Sequence, residues 1–549
     1  MKKFFLLIIF FAFPVFVFAG TKGKITGTIT DAETGEVLPG ANVIIEGTTL
    51  GAATNLEGYY VILNVPPGTY RLRASMMGYV TYTVTEVRVN IDRTTIVHVK
   101  MKPTVLPGEE VVVVAERPIV QKDVAASLRN ITSGQIEALP VTTITEAIET
   151  QPGIASGLSI RGSGSDQAIF MVDGVILRDE RNNQPMTQVP LSAVKEILVQ
   201  SGGFNAEYHN VRSGVVNVVT KEGDPNRYGG TITSKMKPPA PKHFGISPYD
   251  PNSFWLRPYL DPEVCWTGTK SGVWDIYTQR QYPEFEGWNA VSERTLADDD
   301  PTNDLTPEAA HRIFMWQYRK QGEPKKPDYN IDGGFGGPVP LIGKSLGNLR
   351  FYTSFRYEQD MYLMQLSRDA LTDYSSMTRL TSDITPFMKL SIWTLYGETH
   401  ATALSRAGGT SYMEDVWDIA DAIDRAGFTV PWRIFTNDYW CPTSRFYHTL
   451  SAKLTHLVNP STFYEVQLKR IGKNYHTAPG PHRDSTKRYE IFEGYYVDEA
   501  PFGFEEKYTY GIVGLAMGGP ISTSRDSSKI AVTSAKFDLV SQINPNNQI

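Results

Sequence analysis

From Lys22 to about residue 102, apolar and polar residues alternate in short runs punctuated by Gly and Pro. "KITGTIT" sets Ile25, Gly27 and Ile29 on one side of a strand. Asp31, Gly35, Pro39 and Gly40 stand as turn formers around "NVIIE". "TNLEGYYVILNVPPGTYRLRAS" supplies two further strands about Pro66-Pro67-Gly68, and "VTYTVTEVRV" and "TTIVHVKM" close the series. Strands recurring roughly every 8 to 12 residues with such punctuation predict a β-sandwich.

The pattern changes over residues 123–222. "SGQIEAL", closed by Pro140, predicts a short helix. Thr143 to Glu146, "TITE", has the spacing of a capping box, and Ile144, Ala147 and Ile148 form an apolar face behind it. Gln151-Pro152-Gly153 stops that helix. Short strands broken by Gly-rich loops follow. In the last of them Val215, Asn217 and Val219 alternate with Val216, Val218 and Thr220, the pattern of a strand buried on both faces.

After Gly223 the runs lengthen: "LRFYTSFRYEQDMYL", "MKLSIWTLYGETHATA" and "HTLSAKLTHLVNPSTFYEVQLKRIG". Phe351, Thr353, Phe355 and Tyr357 share one face, with Arg350, Ser354, Arg356 and Glu358 on the other. Apolar-out, polar-in alternation, with Tyr and Trp near strand ends, is the transmembrane β-barrel pattern. "LVNPST" makes a short turn between two such strands. Residues 237–330 read instead as long Pro-, Asp- and aromatic-rich surface loops, with one helix at "TPEAAHRIFMWQYRK" started by Thr306-Pro307. The fold class is therefore mainly β: an N-terminal β-sandwich, an α+β unit and part of an antiparallel transmembrane β-barrel.

Composition narrows the function. The 549 residues carry a net charge of −6, with no basic excess to suit nucleic acid. Lys2 and Lys3, the apolar run Phe4–Phe18 and Val17-Phe18-Ala19 have the order of a secretory signal, residues 1–19. No other apolar run reaches the roughly 20 residues of a spanning helix, so a membrane-crossing chain must cross as a barrel. Cys265 and Cys441 are too few for a zinc cluster; they can pair once or stay free. Asp298, Asp299, Asp300 and Asp304 lack the glycine and glutamate spacing of a calcium loop and read as a solvated acidic stretch. No P-loop, G-x-S-x-G or H-E-x-x-H motif is present, so the expectation is no catalytic residue, no metal and no cofactor.

"GTITDAETGEVLPGANVIIEGTTLGAATNLEGYYVILNVPPGTYRLRASMMGY" resembles the carboxypeptidase-regulatory-like domain, which implies a non-catalytic sandwich. "LPVTTITEAIETQPGI", "SIRGSGSDQAIFMVDGV", "VKEILVQSGGFNAEY" and "SGVVNVVTKEG" resemble, in order, the plug of TonB-dependent outer-membrane receptors. Tyr208-His209 departs from the Tyr-Gly pair familiar there, at a turn. The resemblance implies a plug filling a 22-stranded barrel, with Arg161, Gly162, Ser163 and Gly164, and Arg178, Asp179, Glu180 and Arg181, in outer loops or plug–barrel contacts. Against this, the residues alone favour a solvated loop charge for each arginine and a structural turn rather than a ligand for Asp173-Gly174.

The expected segments are a signal peptide (1–19), the sandwich (20–103), a linker (104–122), the plug (123–223) and the N-terminal part of the barrel (224–549). Within the linker, Glu109, Glu110, Val111, Val112, Val113, Val114 and Ala115 resemble the TonB box, flanked by Pro107 and Pro118. The physical requirement is a β-prone segment able to join a partner's sheet edge. The alternative is that the valines complete a strand of a neighbouring domain. About 325 residues after the plug hold nine or ten strands, too few for 22, so an N-terminal fragment of a receptor is expected.

The function implied is binding of an extracellular ligand and its import with energy relayed by TonB from the inner membrane. The partners implied are TonB, outer-membrane lipid and the ligand; a surface lipoprotein is compatible with this architecture, and no residue calls for one. The alternative is a non-importing binding, signalling or adhesion protein of the same fold. Ligand identity is not legible, since "SFWLRPYL" suits stacking on a sugar or peptide and loop self-packing equally.

Overall fold

The computed structural model describes residues 22–104 (except 49), 110–115, 128–202, 211–299, 301, 304–317, 323–404, 412–414, 416–424, 440–480, 484, 486–493, 495–498, 524–544 and 547–548. The expected signal peptide, Glu109, the flanking prolines Pro107 and Pro118, Tyr208-His209 and Asp300 lie outside them.

The first unit comprises β1 (Gly23–Asp31), β2 (Asn42–Ile45), β3 (Gly51–Ala53), β4 (Tyr59–Val65), β5 (Gly68–Ser75), β6 (Thr81–Val89), β7 (Thr94–Ile96), β8 (Val99–Met101) and β9 (Glu110–Val114). β4-β1-β7, with β8 also on β1, faces a second sheet in the order β3-β2-β5-β6-β9. The inward alternate residues, among them Ile25, Ile29, Val43, Leu72 and Val87, make one apolar core. Asp31 closes the first turn by accepting the Glu33 and Thr34 N–H groups (2.7 and 3.0 Å) and the Tyr79 hydroxyl (2.9 Å). At Gly27 any Cβ would lie 1.8 Å from the Val97 carbonyl oxygen, so only glycine lets β1 pass there.

The second unit holds β10 (Leu128–Thr132), α1 (Ser133–Ala138), α2 (Ile144–Glu149), β11 (Ile154–Ala155), β12 (Ser159–Ile160), β13 (Ala168–Val172), β14 (Val175–Ile176), β15 (Val194–Gln200) and β16 (Gly214–Thr220). Its sheet runs β10-β15-β16-β13-β14. β16 is buried along its whole length, as its two apolar faces require. At α2 the Thr143 hydroxyl accepts from the Glu146 N–H (3.1 Å), while the Glu146 carboxylate bonds to the Thr142 N–H rather than closing the box on Thr143.

The third unit holds β17 (Gly229–Lys237), α3 (Arg257–Leu260), α4 (Ile276–Gln281), α5 (Trp288–Ala297), α6 (Pro307–Gln317), β18 (Asp328–Pro338), β19 (Arg350–Met361), β20 (Ala370–Thr385), β21 (Met388–Thr402), α7 (Val416–Asp424), β22 (Pro442–Asn459), β23 (Thr462–Thr477), β24 (Arg488–Phe492), β25 (Tyr495–Asp498), β26 (Lys529–Asn544) and β27 (Asn547–Gln548). Nine of these strands form one antiparallel wall, β17-β18-β19-β20-β21-β22-β23-β26-β27. Among the described residues the wall does not close on itself. Connections at one end are tight turns, such as 386–387 and 460–461; at the other they are long insertions carrying the helices.

The alternation sorts the wall. Ile232, Phe355, Leu450, Leu468 and Phe537 stand exposed on the outer face. Ser354, Arg356, Asp373, Arg379 and Lys453 are buried on the inner face. The second unit packs there: Met377, Trp393, Leu395, Tyr447 and Ile471 of the wall share its apolar core. Gly397 leaves room for one of these contacts, since a Cβ there would fall 2.1 Å from the Tyr447 ring, whose hydroxyl reaches the Gln188 carbonyl (3.0 Å). The sandwich lies against the underside of the second unit, where Ile91 packs on Leu198 and Val219 and Arg93 donates to the Leu128 carbonyl (3.3 Å).

Candidate functional site

Three places concentrate chemistry. The first is an ion cluster at the tight-turn end of the wall, where β16 hands the chain to β17. Glu222 takes Arg350 (3.1 Å), Arg379 (3.4 Å) and Lys389 (3.4 Å), one cation from each of β19, β20 and β21. Arg350 also holds Asp383 (2.8 Å). Arg379 continues inward to Asp173 (3.3 Å) and to the Thr220 hydroxyl (2.9 Å), and Thr220 donates back to Asp173. Asp173 is a turn residue with φ +48°, as its Asp-Gly sequence predicts, but its buried carboxylate also anchors the unit to the wall. Burial alone would push the Glu222 carboxyl up; Lys389, Arg379, Lys22 and Arg350 outweigh it and hold it well below the usual range. Lys22, from the start of the sandwich, lines the same water-sized space, and burial with help from Lys389 pulls its ammonium down to about 7.

The second place is the 178–181 loop at the opposite end. Asp179 is buried and accepts the Tyr475 hydroxyl (2.7 Å) and the Arg181 N–H (3.0 Å). Arg181 pairs with Asp526 (2.7 Å) and lies 4.2 Å over the Tyr475 ring. Lys473 donates to the Arg178 carbonyl and pairs with Glu180 (2.9 Å). This loop is thus a contact between the second unit and the wall. Arg161, Gly162, Ser163 and Gly164 form a turn with positive φ at Arg161 and Gly162, and the Ser163 hydroxyl bonds to the Ile160 carbonyl. Among the described residues that turn makes none of the 178–181 loop's wall contacts; the Arg161 guanidinium lies against Gly202.

The third place is the helical cap built by the long insertions. Tyr259, Phe285, Trp288 and Phe314 pack with ring centroids 4.6–6.4 Å apart, and Trp288 donates to the Tyr259 carbonyl (2.9 Å). "SFWLRPYL" therefore divides: Leu256 and Tyr259 serve the cap's own core, while Phe254 and Trp255 line a cavity of about 600 Å³ with His243, Phe244, Ile246 and Met364. Cys265 and Cys441 are both buried. Among the described residues no cluster of His, Cys, Asp and Glu could hold a metal ion.

The valine stretch is ordered as a strand on the sandwich: β9 runs parallel to β6, with Thr81 opposite Glu110 and Thr85 opposite Val114. Val111 and Ala115 pack on the sandwich core, while Val112 and Val114 are 57% and 68% exposed.

The CarboxypepD_reg-like domain family matches residues 25–113, so its span takes in the first valines. The TonB-dependent Receptor Plug Domain family matches residues 120–216, the unit seated against the wall. The chain therefore carries a CarboxypepD_reg-like domain followed by a TonB-dependent receptor plug domain. It resembles the "TonB-dependent transporter Oar" of Myxococcus xanthus, 26% identical over 233 residues that cover 39% of this chain and 22% of that one. It also resembles "TonB-dependent receptor P26" of Formosa agariphila, 29% identical over 218 residues, 36% of this chain and 21% of that one. The match thus spans about a fifth of the length of these curated relatives. The crystal structure of the siderophore receptor PirA from Acinetobacter baumannii aligns with TM-score 0.40 and 12% identity over 75% of this chain and 45% of that one, a likeness too distant to carry an argument. Its relatives are receptors and transporters rather than enzymes. The protein is placed in the outer membrane, with its N-terminal domain in the periplasm. The ion cluster and the tight turns lie at the end of the wall that Lys22 of the sandwich reaches, and the cap lies at the other end.

Sequence reasoning missed the ion cluster. Arg350 was visible as an inward-facing charge on a wall strand, but nothing local indicates that Glu222, 128 positions away, is its counter-charge.

Proposed function

We propose that this protein binds a ligand on its outer face and imports it when TonB, energised at the inner membrane, acts on the 109–115 segment. The observation that carries the reading is the plug unit pinned to the wall by buried ion pairs at its periplasmic edge, Glu222 with Arg350, Arg379 and Lys389. Such pins hold the lumen shut at rest and are released by disturbing one cluster beside the sandwich. The cap supplies the ligand's first contact. Its cavity is walled mainly by apolar and aromatic side chains, which suits stacking on a sugar ring or an aromatic peptide side chain. No enzymatic role is assigned.

The test is uptake by cells carrying the whole receptor with residues 109–115 deleted. Import should stop while surface binding of the ligand persists. Import at the wild-type rate would return the protein to the non-importing reading, a binding or adhesion protein of the same fold.

A further inference from the structure

At the tight-turn end of the wall, residues 386–387 suffice to join β20 to β21, and 460–461 to join β22 to β23, but β18 and β19 are joined by residues 339–349. This long connection is folded into a knot. The Val339 N–H donates to the Leu349 carbonyl (2.9 Å), the Gly343 N–H to Val339 (3.1 Å), the Leu346 N–H to Ile342 (3.1 Å) and the Leu349 N–H to Gly343 (2.8 Å). A Cβ at Gly343 would lie 2.5 Å from the Val339 carbonyl oxygen, so the knot has no interior in which a side chain could fold back. Leu341 stands fully exposed, and Ile342 and Leu346 half-exposed. Leu341 does so from φ +65°, a region that residues with a side chain rarely adopt. Single exposed leucines are ordinary, but an aliphatic cluster held outward on a rigid knot marks a contact.

The neighbours of the knot indicate what covers it. The Ser382 hydroxyl donates to the Leu346 carbonyl (2.7 Å) and the Asp383 N–H to the Gly347 carbonyl (2.6 Å), so the knot leans on the end of β20. There Ile384, on the same face of β20 as Leu380, and Phe387 of the next turn are exposed. Farther along the wall Val458 continues the outward row of Leu450, and Ile543 that of Phe537 and Leu539. The outer apolar face thus reaches the strand ends and passes onto the knot. That face is the lipid face of a wall in the outer membrane. We propose that residues 339–349 are a lipid anchor: Leu341, Ile342 and Leu346 enter the boundary of the phospholipid leaflet at the tight-turn end, and Lys344, exposed between them, meets its phosphates. The anchor is tied to the plug's ion cluster, because Arg350 donates to the Asn348 carbonyl (3.2 Å) while it holds Asp383 and Glu222. Such an anchor serves the wall whatever the receptor transports.

The test uses the whole receptor in vesicles of phosphatidylethanolamine and phosphatidylglycerol. Cys265 and Cys441 are both buried, so an introduced surface thiol takes a fluorescent label. The label is placed at Leu341→Cys and, separately, at Leu346→Cys. Leu468→Cys on the outer face of the wall and Met77→Cys on the sandwich, both exposed, give the lipid and water baselines. Brominated lipids and aqueous iodide are the quenchers. The expected result is that both knot labels are quenched by brominated lipid at a depth of about 5–10 Å into the headgroup and acyl boundary, and are shielded from iodide relative to Met77→Cys. Adding Lys344→Glu to Leu346→Cys should weaken the lipid quenching; unchanged quenching would overturn the pairing of Lys344 with phosphate. Iodide quenching of both knot labels as strong as at Met77→Cys, with none from brominated lipid, would overturn the anchor. Shielding that appears only in native outer membranes would overturn it as well, and would assign the knot to a protein that the vesicles lack.

Discussion

Replacing Glu222 with Gln tests the pinning of the plug directly. The change is isosteric and removes one charge that three cations share, at 3.1, 3.4 and 3.4 Å. The Glu222 side chain is 20% exposed and that of Arg350 7%, so solvent screens the cluster only in part. Removing one partner of a buried pair costs about 3–5 kcal/mol; Gln keeps an acceptor for Arg350, which puts the expected loss near the lower end, about 3 kcal/mol. Asp383 stays with Arg350 and Asp173 with Arg379, so the wall itself keeps its pairing. The loss should fall on the plug's attachment. Hydrogen exchange of the solubilised chain reads this by segment. Amides of β15 and β16 should exchange about a hundredfold faster in Glu222→Gln, while β1–β6 of the sandwich should change little. Lys389→Met, which removes the most exposed of the three cations, should accelerate the same amides by only about tenfold. Unchanged exchange in β15 and β16 of Glu222→Gln would refute the claim that this cluster holds the plug.

Three further outcomes follow from the same geometry. The Glu222 contribution carries a definite pH sign: its folded carboxyl is depressed, so its stabilisation is complete above the ordinary value of 4.5 and is lost as pH falls below that toward the folded value; segment-resolved exchange, corrected for its intrinsic rate, should therefore be flat from about pH 7 to 5 and rise below about 4.5. Asp179→Ala strands the Tyr475 hydroxyl and frees the Arg181 loop, and should cost about 2 kcal/mol at the outer end, seen as protease cutting near Arg181 that the native chain resists. Trp288→Ala removes the centre of the cap's aromatic core and should cost about 3–5 kcal/mol locally, measured as a lost low-temperature melting step with the β-sheet circular dichroism retained.

Much of the fold was written in local periodicity. The sandwich strands, the doubly buried β16 and the in–out sorting of β19 all follow from alternation over a few residues, and the structure places them so. Thr306-Pro307 likewise marks the start of α6, whose Ala309 N–H bonds to the Thr306 hydroxyl (3.2 Å). Non-local chemistry was less legible. Asp173 has the sequence of a turn and is one, yet its second role depends on Arg379, 206 positions on. The valines announced a strand and not its neighbour; the parallel pairing with β6 becomes visible only when the sandwich's last edge is known. In the cap, no local signal separated the aromatic residues of "SFWLRPYL" into core and cavity wall, because both uses require the same side chains.

The central claim is that the segment between sandwich and plug couples this receptor to TonB. Titration calorimetry of the solubilised chain with the TonB periplasmic domain, beside a variant lacking residues 109–115, tests it most directly. The account predicts saturable binding by the intact chain that disappears with the deletion. Equal binding by both chains, or none by either, would contradict it.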